Sequence, residues 1–296
     1  MALPRYILAL PCNLVVLTMT DGFQLDDLSL GKQSDYQSSY SPKLLQAVPR
    51  SLNRKELGCI KSQSFQGVDV WNAYELSWLN AKGKPMVALG RFTLDANTPN
   101  IVESKSFKLY LNSLNQFRFS GVEQLKSVLQ KDLSVVAGGA VLVELFWPDD
   151  TLTFAVRDLP GDCIDDLDIS IDEFRLSPQL LSTPPNAREV SETLHSHLLK
   201  SNCLITNQPD WASVIIRYSG LEIDREALLR YLISFRMHNE FHEQCVERIF
   251  CDILNLCKPQ ELSVQALYTR RGGLDINPFR TSVDNQASPM LRINRQ

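Results

Sequence analysis

Apolar residues along the chain fall into two alternating regimes, one with the two-residue period of a strand and one with the 3.6-residue period of a helix. Val68 to Asn80 carries Val, Trp, Tyr and Leu at strand density, Ala81-Lys82-Gly83-Lys84-Pro85 reads as a turn, and Met86 to Asp95 is a second strand. The spacing predicts a hairpin. Phe107, Tyr110, Leu111, Leu114 and Phe117 then share one face of a helix, and Val122, Leu125, Val128, Leu129 and Leu133 share one face of another. Ser120-Gly121-Val122-Glu123 has the form of a capping box opening the second helix. Val141 to Trp147 and Thr151 to Val156 read as two further strands, which completes a ββααββ unit.

The pattern then recurs. One nearly constant shift lays Tyr110-Leu111 on Tyr231-Leu232, Ser113 on Ser234, Leu125 on Val246, Val128 on Ile249, and Val141 and Val143 on Leu262 and Val264. It also lays Trp71 to Trp78 on Glu192 to Leu199, which assigns that ambiguous segment to a strand, and the Lys82 turn on the region of Cys203. Val214 to Tyr218 is the partner strand. Asp224 caps a helix bearing Leu228, Leu229, Leu232 and Phe235; after a break near His238-Asn239, Phe241, Cys245, Ile249 and Ile253 mark another, stopped by Pro259. Tandem duplication follows. The expected fold class is α+β: two ββααββ units with antiparallel sheets and helices packed on one face. The first unit with its N-terminal arm takes residues 25–181, a linker containing Ser182-Thr183-Pro184-Pro185-Asn186 takes 182–189, and the second unit takes 190–296.

Residues 1–24 read as an extension, disordered or an upstream start artefact, with Met19-Thr20-Asp21-Gly22 a natural beginning for the folded part. Tyr6 to Met19 is apolar apart from Asn13 and Thr18 and follows Arg5, like a weak secretory signal. It is too short to span a membrane, Pro11 and Asn13 interrupt it, and no small-x-small cleavage site follows. Gly31 to Asn53, rich in Ser, Gln, Tyr and Pro, is an arm.

Composition narrows the function classes. A chain of 296 residues holds about two domains and needs no disulfides or metals to bury a core. A net charge of -4 argues against binding duplex nucleic acid, which requires a Lys/Arg excess. Seven cysteines, an odd number with no CxxC pair, suggest neither a disulfide framework nor a zinc site and fit a reducing cytoplasm. Cys245, Cys251 and Cys257 recur every six residues, each turned by about 240° on a helix, so they share no face and read as small buried apolar residues. The acids Asp162, Asp165, Asp166, Asp168, Asp172 and Glu173 lack the central Gly and terminal Glu of a calcium loop and read as a solvated face.

One stretch carries candidate chemistry, Ser201-Asn202-Cys203-Leu204-Ile205-Thr206-Asn207-Gln208-Pro209-Asp210-Trp211. Cys203 is a nucleophile only as a thiolate, and Asp210 is a candidate partner for its proton. Gln208-Pro209 reads as a loop, which puts both residues on the connection between the first two strands of the second unit. A Cys and an Asp at this spacing are equally explained as structural residues. His242-Glu243 at the start of the last helix is open to two readings as well, a surface or capping pair or, in a cleft, a proton carrier beside an acceptor for a guanidine-like NH/NH2 edge.

Glu103-Ser104-Lys105-Ser106-Phe107-Lys108-Leu109-Tyr110, the Cys203 to Trp211 stretch and Phe241-His242-Glu243 together resemble the signature of the NADPH-dependent 7-cyano-7-deazaguanine reductases, the nitrile reductases of queuosine biosynthesis. The resemblance runs from about Leu28 to the C-terminus and includes Pro49 to Arg54, Tyr74-Glu75-Leu76-Ser77-Trp78 and Tyr268-Thr269-Arg270-Arg271-Gly272-Gly273-Leu274-Asp275. It implies the long form of that family, with two tandem tunnelling-fold (T-fold) units in a homodimer, cytoplasmic, without direct contact to nucleic acid or membrane. It implies Cys203 as the nucleophile that adds to the nitrile, with Asp210 as general acid/base and His242 assisting. Ile101, Val102, Glu103, His242 and Glu243 would bind the deazaguanine, and Ser104, Lys105, Arg271 and Gly272 would contact NADPH, with Lys108 and Arg270 as further candidates for its phosphates. No metal is implied. Two other classes stay open: a cyclohydrolase-like relative, which would want a metal, and a non-catalytic purine-binding protein in which Cys203 is merely buried.

Overall fold

Strand-period segments from both halves of the chain build one sheet in the computed structural model, which describes residues 39–57, 65–284 and 286–296. The expected extension over residues 1–24, and the first part of the arm, lie outside the described residues. In chain order, β1 (Ala47–Pro49) and a single-turn helix α1 (Ser51–Arg54) precede β2 (Gln66–Leu79), β3 (Pro85–Asp95) and β4 (Asn100–Val102). The helices α2 (Ser104–Ser113) and α3 (Val122–Ala137) lead to β5 (Val141–Phe146). The second half runs β6 (Asp162–Cys163), β7 (Glu189–Asn202), β8 (Pro209–Leu221), α4 (Arg225–Ser234), α5 (His242–Leu256), β9 (Glu261–Tyr268) and β10 (Leu274–Thr281). The fold is mixed α/β, with an eight-stranded sheet in the order β5-β3-β2-β10-β9-β8-β7-β6. Every neighbouring pair in it is antiparallel except β6 with β7.

The apolar stripes dock the helices on one face of this sheet. Leu125, Leu129 and Leu133 of α3 and Phe107 and Tyr110 of α2 are buried against Trp71, Phe92 and Val143. Leu228 and Leu232 of α4 and Val246, Ile249 and Phe250 of α5 are buried against Leu194, Val214 and Val264. The repeat extends to hydrogen bonds. Tyr110 donates to Asp132 (2.7 Å) and Ser113 Oγ to the Tyr110 carbonyl (2.6 Å), while Tyr231 donates to Asp252 (2.6 Å) and Ser234 Oγ to the Tyr231 carbonyl (2.6 Å). Each long strand also carries a register shift, between Ala73 and Leu76 in β2 and between Ser196 and Leu199 in β7.

Three expectations need correction. Thr151 to Val156 is not a strand: Asp150 accepts from the Thr153 amide (3.2 Å) and hydroxyl (2.8 Å), winding the chain into a turn, and Phe154 packs edge-on against Tyr74 and Phe146. The first half is therefore ββααβ around its helices, while the second has the full ββααββ order. The start of α3 is not a capping box either, because Gly121 is the N-cap and Gln124 rather than Glu123 reaches back to the Ser120 amide (2.7 Å). Cys251 is buried and disulfide-bonded, where the sequence suggested only an apolar filler.

The halves meet where β10 pairs with β2 from Leu274↔Ala73 to Thr281↔Gln66. Gly67 allows the approach: its φ is +152°, and a Cβ there would lie 2.0 Å from the Phe279 carbonyl oxygen. Replacing Gly67 by Ala is expected to cost ~3 kcal/mol or more in chemical denaturation. Gly121→Ala, where a Cβ meets nothing within 4 Å, is expected to cost at most ~1 kcal/mol.

Candidate active site

The loop from Cys203 to Gln208 is held at its base by the Cys203 amide donating to the Gln208 carbonyl (2.8 Å). Asn207 turns the chain at φ 55°, a left-handed conformation that Asn tolerates better than most residues. Asp210 is not on this connection, as the sequence suggested, but on β8, paired with Ser201. Proline is compatible with the first position of a strand, so Pro209 starts β8 rather than delaying it.

The chain before α5 runs beside the end of β7. Asn202 donates its amide to the His238 carbonyl (2.8 Å), Glu240 donates to Asn202 (3.1 Å), and the Asn239 side chain donates to the Cys203 carbonyl (3.2 Å). These bonds bring His242 and Glu243, in the first turn of α5, to the thiol loop. The His242 ring stands edge-on to Tyr268 at 4.1 Å, with Nε2 3.6 Å from Asp210 Oδ1. Arg271 donates to both Asp210 and Gln208, so its guanidinium lies across the loop.

Burial would push the Asp210 carboxyl up, but the hydrogen bond and charge of His242, then those of Arg271, hold it below the ordinary carboxylate range. Glu243 goes the other way. Burial first, and the charge of Asp69 second, push it up to about 7. Burial also lowers the Lys108 ammonium, helped by Arg271 and opposed by Glu103, Asp210 and Cys203. Arg271, Lys108, Asp210 and Glu243 thus share one cavity with the thiol.

A cavity of about 50 Å³ at the junction of the halves is lined by Ile101, Val102, Ser104, Cys203, Asp210, His242, Glu243 and Arg271, all expected from the sequence. Lys108, a secondary candidate, also lines it, and the fold adds Trp71, Tyr268, Leu274 and Ile276. Three expected residues stand behind the wall instead of on it. Glu103 is the N-cap of α2, its carboxylate accepting from the Lys105 (2.7 Å) and Ser106 (2.7 Å) amides. Lys105 follows it in the first turn. Gly272, at φ +57°, lies against Lys108, whose side chain a Cβ would meet at 3.0 Å. Arg270 instead covers the Tyr74 ring, 4.2 Å from its centroid. Of the wall residues from β2 and β10, Leu274 lies in a stretch that carries the family resemblance, while Trp71 and Ile276 read as ordinary strand residues until the strands pair.

Comparison with known families identifies the arrangement. Residues 36–145 match the model described as nitrile reductase, 7-cyano-7-deazaguanine-reductase N-term, and residues 209–287 match that of the QueF-like protein, together more than half of the chain. The chain belongs to the 7-cyano-7-deazaguanine reductase family. Members of this family are nitrile reductases of queuosine biosynthesis, and the two matches, one in each half of the chain, correspond to its long, two-unit form. Among solved structures, the apo archaeosine synthase QueF-Like is similar at 16% identity over 33% of this chain and 95% of that chain. Its TM-score is 0.27, too low to carry an argument. Among the described residues, no helix is long and apolar enough to cross a membrane.

For a family member that takes up a guanine-like base, the unusual carboxyl is Glu243. The native state holds a proton on Glu243 up to about 7, whereas the unfolded chain releases it near 4.5. Between these values the native state binds more protons, so its stability falls as pH rises and levels off above about 7. Glu243→Gln is expected to flatten that slope in urea-denaturation series across the interval; an unchanged slope would assign it to other groups.

Proposed function

We propose that the chain reduces the nitrile of 7-cyano-7-deazaguanine to an aminomethyl group, with two NADPH per turnover and a covalent thioimide on Cys203. The observation that carries this reading is the convergence of a half-exposed thiol, a buried carboxylate, an imidazole and a protonatable glutamate on one cavity. Cys203 sulfur adds to the electrophilic nitrile carbon while its proton passes to nitrogen, giving a thioimide. Reduction at carbon and protonation at nitrogen give a thiohemiaminal; its C–S bond breaks, returning the thiol and leaving an imine, which a second reduction takes to the amine. NADPH, when bound, supplies the hydride for each reduction.

Asp210 and His242 are the pair that handles the protons. While Arg271 holds it, Asp210 is an anion and accepts. If Arg271 turns to a phosphate, one of the influences lowering Asp210 is removed and its carboxyl becomes a better donor. The donor set fits such a cofactor: Arg271 and Lys108 put two cations at the cavity with the hydroxyl of Ser104. At about 50 Å³ the cavity is far below the ~300 Å³ and more of a typical small-molecule site, so a bound ligand requires lining side chains such as Arg271 to move aside. Ionised Glu243 accepts the N–H edge of the base, and Ile101 and Val102 supply apolar walls.

The two-unit sheet supports a T-fold assignment, and its open edge supports a homodimer. Among the described residues, strand β5 has no neighbour on its outer side, leaving Val141 to Phe146 with Leu142 half exposed.

Oxidation of NADPH in the presence of the cyano-deazaguanine tests the reaction. Two equivalents consumed per substrate are expected, and none would leave a purine-binding protein or a cyclohydrolase-like relative in its place. Intact mass should show a substrate adduct that Cys203→Ala abolishes and Asp210→Ala retains; an adduct surviving in Cys203→Ala would remove the proposed nucleophile. Substrate affinity, read by titration calorimetry, is expected to strengthen as pH rises through about 7, where Glu243 ionises, and to lose this dependence in Glu243→Gln.

A further inference from the structure

The helix-free side of the sheet brings together residues that the proposed reaction does not use. His195 and His197 stand two apart on β7, so their side chains share a face. Leu194 lies in the helix-covered core, and Ile215, which pairs with His195, belongs to a separate apolar cluster with Leu267 and Ile293. The histidines therefore face away from α4 and α5. Beside them runs β6, where Cys163 is in register with His195. Gly161 makes this contact possible, because at φ +79° a Cβ would lie 2.0 Å from the Thr193 carbonyl oxygen. The donor atoms of Cys163, His195 and His197 all lie within 4.8 Å of one another.

We propose that Cys163, His195 and His197 form a site for a zinc-class divalent cation that clips the segment between the two units to the edge of the sheet. Their ring nitrogens are prepared for it. His195 Nδ1 lies 3.0 Å from the Pro160 carbonyl oxygen. A carbonyl only accepts, so this contact places the proton of neutral His195 on Nδ1 and the lone pair on Nε2. That is the outer-shell bond that orients a metal-binding histidine. His197 Nδ1 lies 2.8 Å from the buried Ser213 hydroxyl, which can donate or accept and holds the ring in place with Nε2 outside that contact.

Asp165 adds charge of the right sign. Its carboxylate is fixed beside the site by the Ser196 hydroxyl (2.6 Å) and the His197 amide (2.9 Å). A cation that converts Cys163 to thiolate meets two negative charges, against which stands the Arg295 guanidinium, donating to the His197 carbonyl (2.8 Å). Thiolate and imidazole donors are those that select zinc over magnesium or calcium. Tetrahedral zinc spaces such atoms by about 3.5 Å. Cys163 is exposed and can close the difference by rotation. The site takes up the metal and releases the thiol proton.

The full chain, stripped with a chelator and returned to reductant-free buffer, can be titrated with zinc against a chromogenic chelator and with cobalt(II) by absorption. One equivalent is expected, with a thiolate-to-cobalt charge-transfer band and a zinc-dependent rise in melting temperature. Cys163→Ser should abolish the band and weaken zinc by more than the roughly 10- to 100-fold that loss of an outer-shell partner costs. His197→Asn should weaken zinc likewise, and Cys203→Ala should leave binding and band intact. A band that survives Cys163→Ser, a band lost in Cys203→Ala, or the absence of a bound equivalent in the unaltered chain would each overturn the site.

Discussion

Beneath the β2–β10 seam, Arg280 is fully buried between Asp69, 2.8 Å away on β2, and Glu247, 2.8 Å away on α5. Arg50 donates to Asp69 at 2.6 Å and Arg54 to Glu247 at 2.6 Å, so the N-terminal arm is tied into the same cluster. Charges this deep are tolerable only when paired, and removing one partner strands the others. The arrangement also sets the chemistry above it, because the charge of Asp69 that holds the cluster together helps keep a proton on Glu243, one turn before Glu247 on α5. The Glu243 carboxyl is thus tuned from the seam between the halves.

The electrostatics around Cys203 are a balance and not a single pair. Arg271 lowers both Asp210 and Lys108, favouring the anion in one and the neutral amine in the other. A side chain one-third exposed thereby acts on two that are more deeply buried, alongside burial and, for Asp210, His242. Such a group is suited to exchanging partners, since its own desolvation cost is small in either position.

Much of this architecture was legible in the sequence where burial is one-sided. Helices with stripes such as Leu125, Leu129 and Leu133 have few alternatives, and the recurrence of Tyr and Ser at Tyr110-Ser113 and Tyr231-Ser234 marks equivalent hydrogen bonds. Thr151 to Val156 misled because its apolar alternation is real but serves to place Phe154 under Arg91, whose guanidinium lies 5.0 Å from the ring centroid. In the candidate site, loop and helix-start residues were visible as polar or reactive types in improbable company. The walls Trp71 and Ile276 were not, because their role depends on strands far apart in the chain becoming neighbours. The grouping of Cys163 with His195 was hidden for the same reason.

The position of β10 has a consequence for synthesis of the chain. Strand β2 emerges early with β3 on one side, yet its other edge is matched only by nearly the last strand to be made. While the ribosome is still producing the second half, the first half carries an open, largely apolar edge and a wall of the cavity with nothing opposite it. Pairings between distant segments form slowly, and unpaired edges are the usual sites of misassembly. Folding of the nascent chain therefore ends, rather than begins, with the step that creates a binding cavity.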